Sequence, residues 1–164
     1  MSLAEMRSVG LGLALLTLVL DQLTKLWALD ALRDPPVRIT VTGWWEMVLV
    51  WNHGISFGLF GEGAVPPWVL AAVTGATALG VAVWLVRSVH WLPIIAAGLI
   101  LGGAIGNIID RLVYGAVVDF VRWYAYGYSW PVFNLADAAI TLGIGLLIVE
   151  SLFGGKTTPK SAAE

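Results

Sequence analysis

Four membrane-spanning α-helices, with a small extracytoplasmic β-sheet and loop region between helices one and two, is the fold this sequence predicts. Three observations carry that prediction. Of the 164 residues, 59% are hydrophobic and only 12% charged, about half the charged share of an ordinary soluble domain. Residues 63–86 and 88–109 hold no Asp, Glu, Lys or Arg, and each run exceeds the ~20 residues that carry a helix across roughly 30 Å of hydrocarbon. Between the first two apolar segments, Val37–Thr42 alternates with a period of two and is rich in β-branched residues, the pattern of a strand rather than a helix.

In chain order, the first span covers about Val9–Leu29. It is long for a signal-peptide core, carries Asp21 and Lys25, and lacks an A-x-A cleavage pattern, so it reads as a retained helix. Asp34-Pro35-Pro36 ends it, because proline lacks an N–H and restricts the residue before it. Val37–Thr42 and Trp44–Trp51, separated by Gly43, read as two strands lying on the membrane surface. Gly54, Gly58, Gly61 and Gly63 make a flexible loop before Pro66-Pro67 opens the second span, Pro66–Val86. Trp91–Val113 is the third span, 114–131 a connecting loop, and Val132–Phe153 the fourth span. The tail 154–164 is small and polar and reads as disordered. Residues 1–164 form one integral membrane domain.

Composition excludes several function classes. The chain has no cysteine, which removes disulfides, thiolate catalysis and Cys-ligated metal. A net charge of −2 with no basic run gives no sign of nucleic acid. No metal and no cofactor is expected. Arg7, Arg87, Lys156 and Lys160 on the terminal side, against Arg33, Arg38 and Arg122 on the other, give a slight bias to cytoplasmic termini.

Consecutive spans alternate in direction, so the polar clusters gather at one face: Asp21 with Lys25, Asn52, Asn107 with Asp110 and Arg111, Asp119, and Asn134 with Asp137. Ionisable groups near hydrocarbon are costly and tend to mark function. Trp44, Trp45, Trp51, Trp68, Trp123 and Trp130 fall on the same side, where indoles anchor at headgroup level or guide a lipid-bearing ligand.

Each cluster has a structural reading beside the functional one. Asp21 and Lys25, four apart, form an ion pair on one helical face or brace loop backbone near the site. Gly102 and Gly106 make a GxxxG pair for close helix packing, and Asn107, Asp110 and Arg111 a polar network at the end of span three. Asn52 heads a glycine-bearing turn or binds a peptide backbone, whereas His53 and Ser56 make a weak Ser/His pair with no oxyanion motif. Asn134 and Asp137 have the spacing of a helix N-cap box, which leaves Asp119, in an apolar stretch, without a partner. Pairing Asp119 with Asp137 resolves this, because two close carboxyls in a low dielectric share one proton. The ionised one can activate water against a carbonyl while the protonated one polarises that carbonyl, the chemistry of aspartic peptide hydrolysis. An ion or proton carrier is the alternative, but spans two and three are clean below the polar face.

Five motifs in order resemble the lipoprotein signal peptidase (signal peptidase II) family of bacterial intramembrane aspartyl proteases. They are Asp21-Gln22-x-x-Lys25, Asn52-x-Gly54-x-x-Phe57-Gly58, Gly106-Asn107-x-x-Asp110-Arg111, Val118-Asp119-Phe120 and Phe133-Asn134-x-Ala136-Asp137. Ser56 stands where the family commonly has a small residue such as Ala. The resemblance implies that Asp119 and Asp137 are the catalytic dyad. It places Asp21, Lys25, Asn52, Gly54, Gly106, Asn107, Asp110, Arg111, Asn134 and Ala136 around them as supporting or substrate-contacting positions. It further implies a diacylglyceryl-modified prolipoprotein substrate cut on the amino side of its lipidated cysteine. The implied setting is a monomer in the bacterial inner membrane, in contact with membrane lipid, with the site near the outer face.

Overall fold

The computed structural model describes residues 1–54 and 65–153. The flexible loop expected at 54–63, the Ser56-Phe57-Gly58 part of the second motif and the tail 154–164, expected to be disordered, lie outside these residues, apart from Gly54 itself.

Four helices long and apolar enough to cross a membrane are present among the described residues: α1 (Leu3–Leu32), α2 (Pro67–Arg87), α3 (Trp91–Tyr114) and α4 (Leu135–Phe153). Ser2 starts α1 with a capping box, its hydroxyl accepting from the Glu5 N–H at 3.2 Å while its own N–H donates to the Glu5 carboxylate at 2.8 Å. The 30-residue helix is about 45 Å long, more than the roughly 30 Å of a hydrocarbon core. Helix α3 is the centre of the bundle. Two-thirds of its apolar window is buried (67%) against 17% for each of the others, and all three pack on it.

Small residues make that packing possible. A Cβ on Gly98 would lie 2.5 Å from the Gly10 carbonyl, and one on Gly102 would strike the Ala14 carbonyl and Thr17. On the other flank a Cβ on Gly103 would meet the Ala136 carbonyl at 2.6 Å. In lipid, where apolar contact by itself gives no preference for a neighbouring helix, such backbone approach is what joins spans.

The sheet is antiparallel in the order β1 (Arg38–Thr42), β2 (Trp45–Asn52), β3 (Val117–Ala125), β4 (Tyr128–Ser129). The sheet foreseen between the first two helices is there, but it also draws strands from the segment expected to be a loop between the third and fourth. Val117, Val118, Phe120 and Val121 are good strand residues. An acid in the middle of that run hid the pattern, since Asp119 is itself buried in β3. Ala28 and Leu32 of α1 pack on Phe120, Met47, Leu49 and Val121, which seats the sheet on the end of the bundle. Between Met47↔Val121 and Val50↔Asp119 the β2 strand holds one extra residue. This bulge turns the ladder next to Asp119, on its C-terminal side in β3.

Helix α4 begins three residues later than the apolar stretch Val132–Phe153. Phe133 is still paired in the sheet, its N–H donating to the Val121 carbonyl at 3.0 Å and its carbonyl accepting from the Val121 N–H at 2.8 Å. Asn134 therefore stands at the cap and Asp137 in the first turn.

Candidate active site

Two layers of polar side chains meet where α1, α3, α4 and β3 converge. The inner layer is a charged joint. Lys25, 2% exposed, places its ammonium 2.8 Å from Asp21 and 2.8 Å from Asp110, both fully buried. Buried charges persist only when paired and when their remaining lone pairs are also satisfied. Here they are: Asp21 Oδ1 accepts from the Ala136 N–H at 3.0 Å, and Asp110 Oδ2 from the Val118 N–H at 3.0 Å. The ion pair and the bracing of backbone, read as alternatives from the sequence, are one arrangement. It ties the first turn of α4 and the start of β3 to α1 and α3.

The outer layer is built of carboxamides, and their directions follow from chemistry. The third hydrogen of Lys25 goes to Asn107 Oδ1 at 2.9 Å, so the Asn107 NH2 faces Asp137 Oδ1, also at 2.9 Å. Asn134 Oδ1 accepts from the Asp137 N–H at 2.9 Å, which turns its NH2 to Asp119 Oδ1 at 2.7 Å. Asn52 Oδ1 accepts from the Gly54 N–H at 2.8 Å, and its NH2 donates to Asp119 Oδ2 at 2.9 Å. Gly54 makes this turn in the left-handed region, at φ +95°, against Leu70 of α2. Each asparagine is thus fixed by a donor-only partner, and each presents its donor to an aspartate.

Asp119 and Asp137 differ in surroundings. Asp119 is 1% exposed, and burial, followed by the charge of Asp137, pushes its carboxyl up to about 7. Asp137 borders a cavity of about 300 Å³ with Asn52, Gly54, Arg111, Trp130, Pro131, Val132 and Phe133. The N-cap box holds too, since Asp137 Oδ2 accepts from the Asn134 N–H at 3.3 Å. One carboxylate oxygen serves the helix end and the other the carboxamide layer. Arg111 donates to the Asn107 carbonyl at 3.2 Å and forms part of the cavity wall. His53 is exposed beside this site. Among the described residues no group of His, Cys, Asp and Glu is placed to hold a metal.

The family model for signal peptidase (SPase) II matches residues 13–153. The lipoprotein signal peptidase of Methylorubrum extorquens is 46% identical over 156 residues, covering 93% of this chain and 90% of that protein. The one from Methylobacterium radiotolerans is 48% identical over 147 residues, covering 87% and 85%. The chain belongs to the signal peptidase II family. A solved bacterial membrane enzyme shares the fold with a TM-score of 0.77 at 22% identity, over 96% of this chain and 95% of the other. As a signal peptidase II chain it is a protease, and the matched segment takes in the whole polar network from Asp21 to Asp137.

Gln22, named in the first motif from the sequence but given no role there, belongs to the network. Its NH2 reaches Asp21 Oδ2 at 3.2 Å, Asp110 Oδ1 at 3.2 Å and the Gly106 carbonyl at 3.3 Å. A signal for it was present: the chain has one glutamine and three asparagines, and all four lie here. In this signal peptidase II chain Gln22→Ala is expected to weaken the α1–α3 joint by about 1.5–3 kcal/mol, the worth of hydrogen bonds to charged groups. The expected reading is a lower unfolding temperature in detergent with cleavage kept within about tenfold, since Gln22 touches neither Asp119 nor Asp137. An unchanged unfolding temperature would show the bonds to be dispensable.

Proposed function

We propose that this chain is an aspartic endopeptidase that removes signal peptides from diacylglyceryl-modified prolipoproteins within the bacterial inner membrane. The supporting observation is that two aspartates from different elements, Asp119 of β3 and Asp137 of α4, are joined through one residue beside a polar cavity: the Asn134 NH2 donates to the Asp119 carboxylate and the Asn134 backbone N–H to the Asp137 carboxylate. The charge of one is felt by the other, which is the condition for sharing a proton.

The steps follow from that asymmetry. Asp137, at the cavity wall, is the base: it takes a proton from water as the water oxygen bonds to the scissile carbonyl carbon. Asp119, buried and holding its proton to about pH 7, hydrogen-bonds the carbonyl oxygen as negative charge develops there. When the C–N bond breaks, the departing amine receives a proton from the dyad, and the amino-side product leaves as a carboxylate. Asn52, Asn107 and Asn134 keep both carboxyls oriented, and the Asp21–Lys25–Asp110 joint holds the elements that carry them. Gly54, Gly106, Arg111 and Ala136 complete the supporting or substrate-contacting set.

A lipidated precursor is confined to the bilayer, so it reaches the site sideways at headgroup depth. The exposed indoles of Trp44, Trp68, Trp123 and Trp130 suit that level. Both termini lie in the cytoplasm, the site lies near the outer face, and a monomer suffices. The test is cleavage by the purified protein in a bilayer, with one precursor carrying a diacylglyceryl cysteine and its twin a bare cysteine. A single cut on the amino side of the lipidated residue, with the twin cut at least ~100-fold more slowly, is the expected result. An intact lipidated precursor, or proton flux in place of proteolysis, would overturn the proposal.

A further inference from the structure

The direction of the Asn107 amide depends on Lys25. An ammonium has three hydrogens and no lone pair, and those of Lys25 are spent on Asp21, Asp110 and Asn107 Oδ1 at 2.8, 2.8 and 2.9 Å. A second donor, the Asn134 NH2, also reaches Asn107 Oδ1, but at 3.2 Å and with its shortest bond, 2.7 Å, made to Asp119. Lys25 therefore dominates. With its carbonyl held, Asn107 has only its NH2 to offer Asp137. Turned by half a revolution, the same amide would set its oxygen against the Asp137 carboxylate.

We infer that Lys25 is a positioning residue for Asp137, acting through the fixed amide of Asn107 and not only as a counter-ion to Asp21 and Asp110. This rests on the two-aspartate reading above. The charged groups facing this chain of contacts are Asp21 on α1, Asp110 and Arg111 on α3, Asp119 on β3 and Asp137 on α4. The joint itself carries one cation and two anions. Lys25→Met combined with Asp21→Asn removes one of each and so preserves its net charge. The asparagine introduced at 21 still accepts from the Ala136 N–H. What the pair of changes takes away is the closer of the two donors on Asn107 Oδ1.

The experiment is the pH profile of kcat/KM for wild type, Lys25→Arg, Lys25→Met and the charge-compensated double variant, with thermal unfolding of each. The acid limb of the profile is expected to move to higher pH by about one unit or more in both Met variants. That is about a tenfold loss on the acid side. Lys25→Arg, another donor-only cation, is expected to keep the limb in place. A limb unmoved in the folded double variant overturns the inference.

A second measurement needs no variant. The chain has only three asparagines, so selective ¹⁵N labelling gives three side-chain NH2 pairs in wild type. The Asn107 pair is expected to shift with the midpoint of the acid limb, and a pair blind to that titration overturns the inference. Cleavage that survives Asp137→Asn would remove the dyad and this inference together. A motionless limb with the dyad intact removes the inference alone.

Discussion

Asp119→Asn and Asp137→Asn are each expected to lower cleavage by about 10³-fold or more, the upper part of the range for losing a positioned acid or base. An asparagine keeps the shape of the residue and can neither accept the proton of water nor give one to an amine. The neighbours sharpen the expectation. Both oxygens of Asp119 accept from NH2 groups whose direction is already fixed, and both oxygens of Asp137 accept from N–H donors. An amide at either position must turn its own NH2 toward a donor, so one hydrogen bond is lost, at about 1–3 kcal/mol. Thermal unfolding of the variants is the control that separates this from the loss of chemistry. Full cleavage by either folded variant would end the dyad assignment.

The same carboxyl gives the pH dependence a definite sign. Asp119 holds its proton in the fold up to about 7, against an ordinary 3.8. Between those values the folded chain binds a proton that the unfolded chain has lost, so protonation favours the fold there. The contribution of Asp119 to stability is present in full below 3.8 and is lost as the pH rises through about 7. On the proposed mechanism cleavage needs the proton on Asp119, so it is expected to fall on the alkaline side through the same value. In Asp119→Asn the change of unfolding temperature between about pH 4 and 7 should flatten. A slope unchanged by that substitution would place the titrating group elsewhere.

What could be read from the sequence and what could not divide along physical lines. The spans were legible because charge-free runs of more than twenty residues have few other uses. Strand β3 was not, because Asp119 breaks the apolar pattern that would have revealed it. That residue is buried only because Asn52 and Asn134 reach it from two other elements, and contacts between distant residues leave no local periodicity. Lys25 was legible as a partner of Asp21 four residues away, but not as a partner of Asp110, 85 positions along the chain. Asn134 and Asp137 show a further limit. Their spacing spelled a helix cap, and the geometry shows the cap taking one oxygen of Asp137 while the other accepts from Asn107, because a carboxylate has two oxygens to share.

Gly106→Ala is expected to damage stability and cleavage together, by one methyl group. A Cβ at 106 would overlap the Asp21 carboxylate. That carboxylate has nowhere to go, being held by Lys25 at 2.8 Å, by the Ala136 N–H at 3.0 Å and by Gln22 at 3.2 Å. Either α1 moves away from α3 or Asp21 leaves its partners. The first is overpacking, at about 1–3 kcal/mol. The second strands a buried charge, at about 3–5 kcal/mol, so the helices should part. The Ala136 N–H then loses its acceptor one residue before Asp137, and a shift of about 1 Å at the first turn of α4 is enough to cost about 10²-fold in rate. Gly145→Ala is the internal comparison: a Cβ there meets nothing within 4 Å, and alanine in a helix is favoured over glycine by about 0.5–1 kcal/mol. That variant should unfold at or above the wild-type temperature and cleave normally. If Gly106→Ala matched it in both measurements, Asp21 could not be the rigid post that holds α4 in register with Asp119.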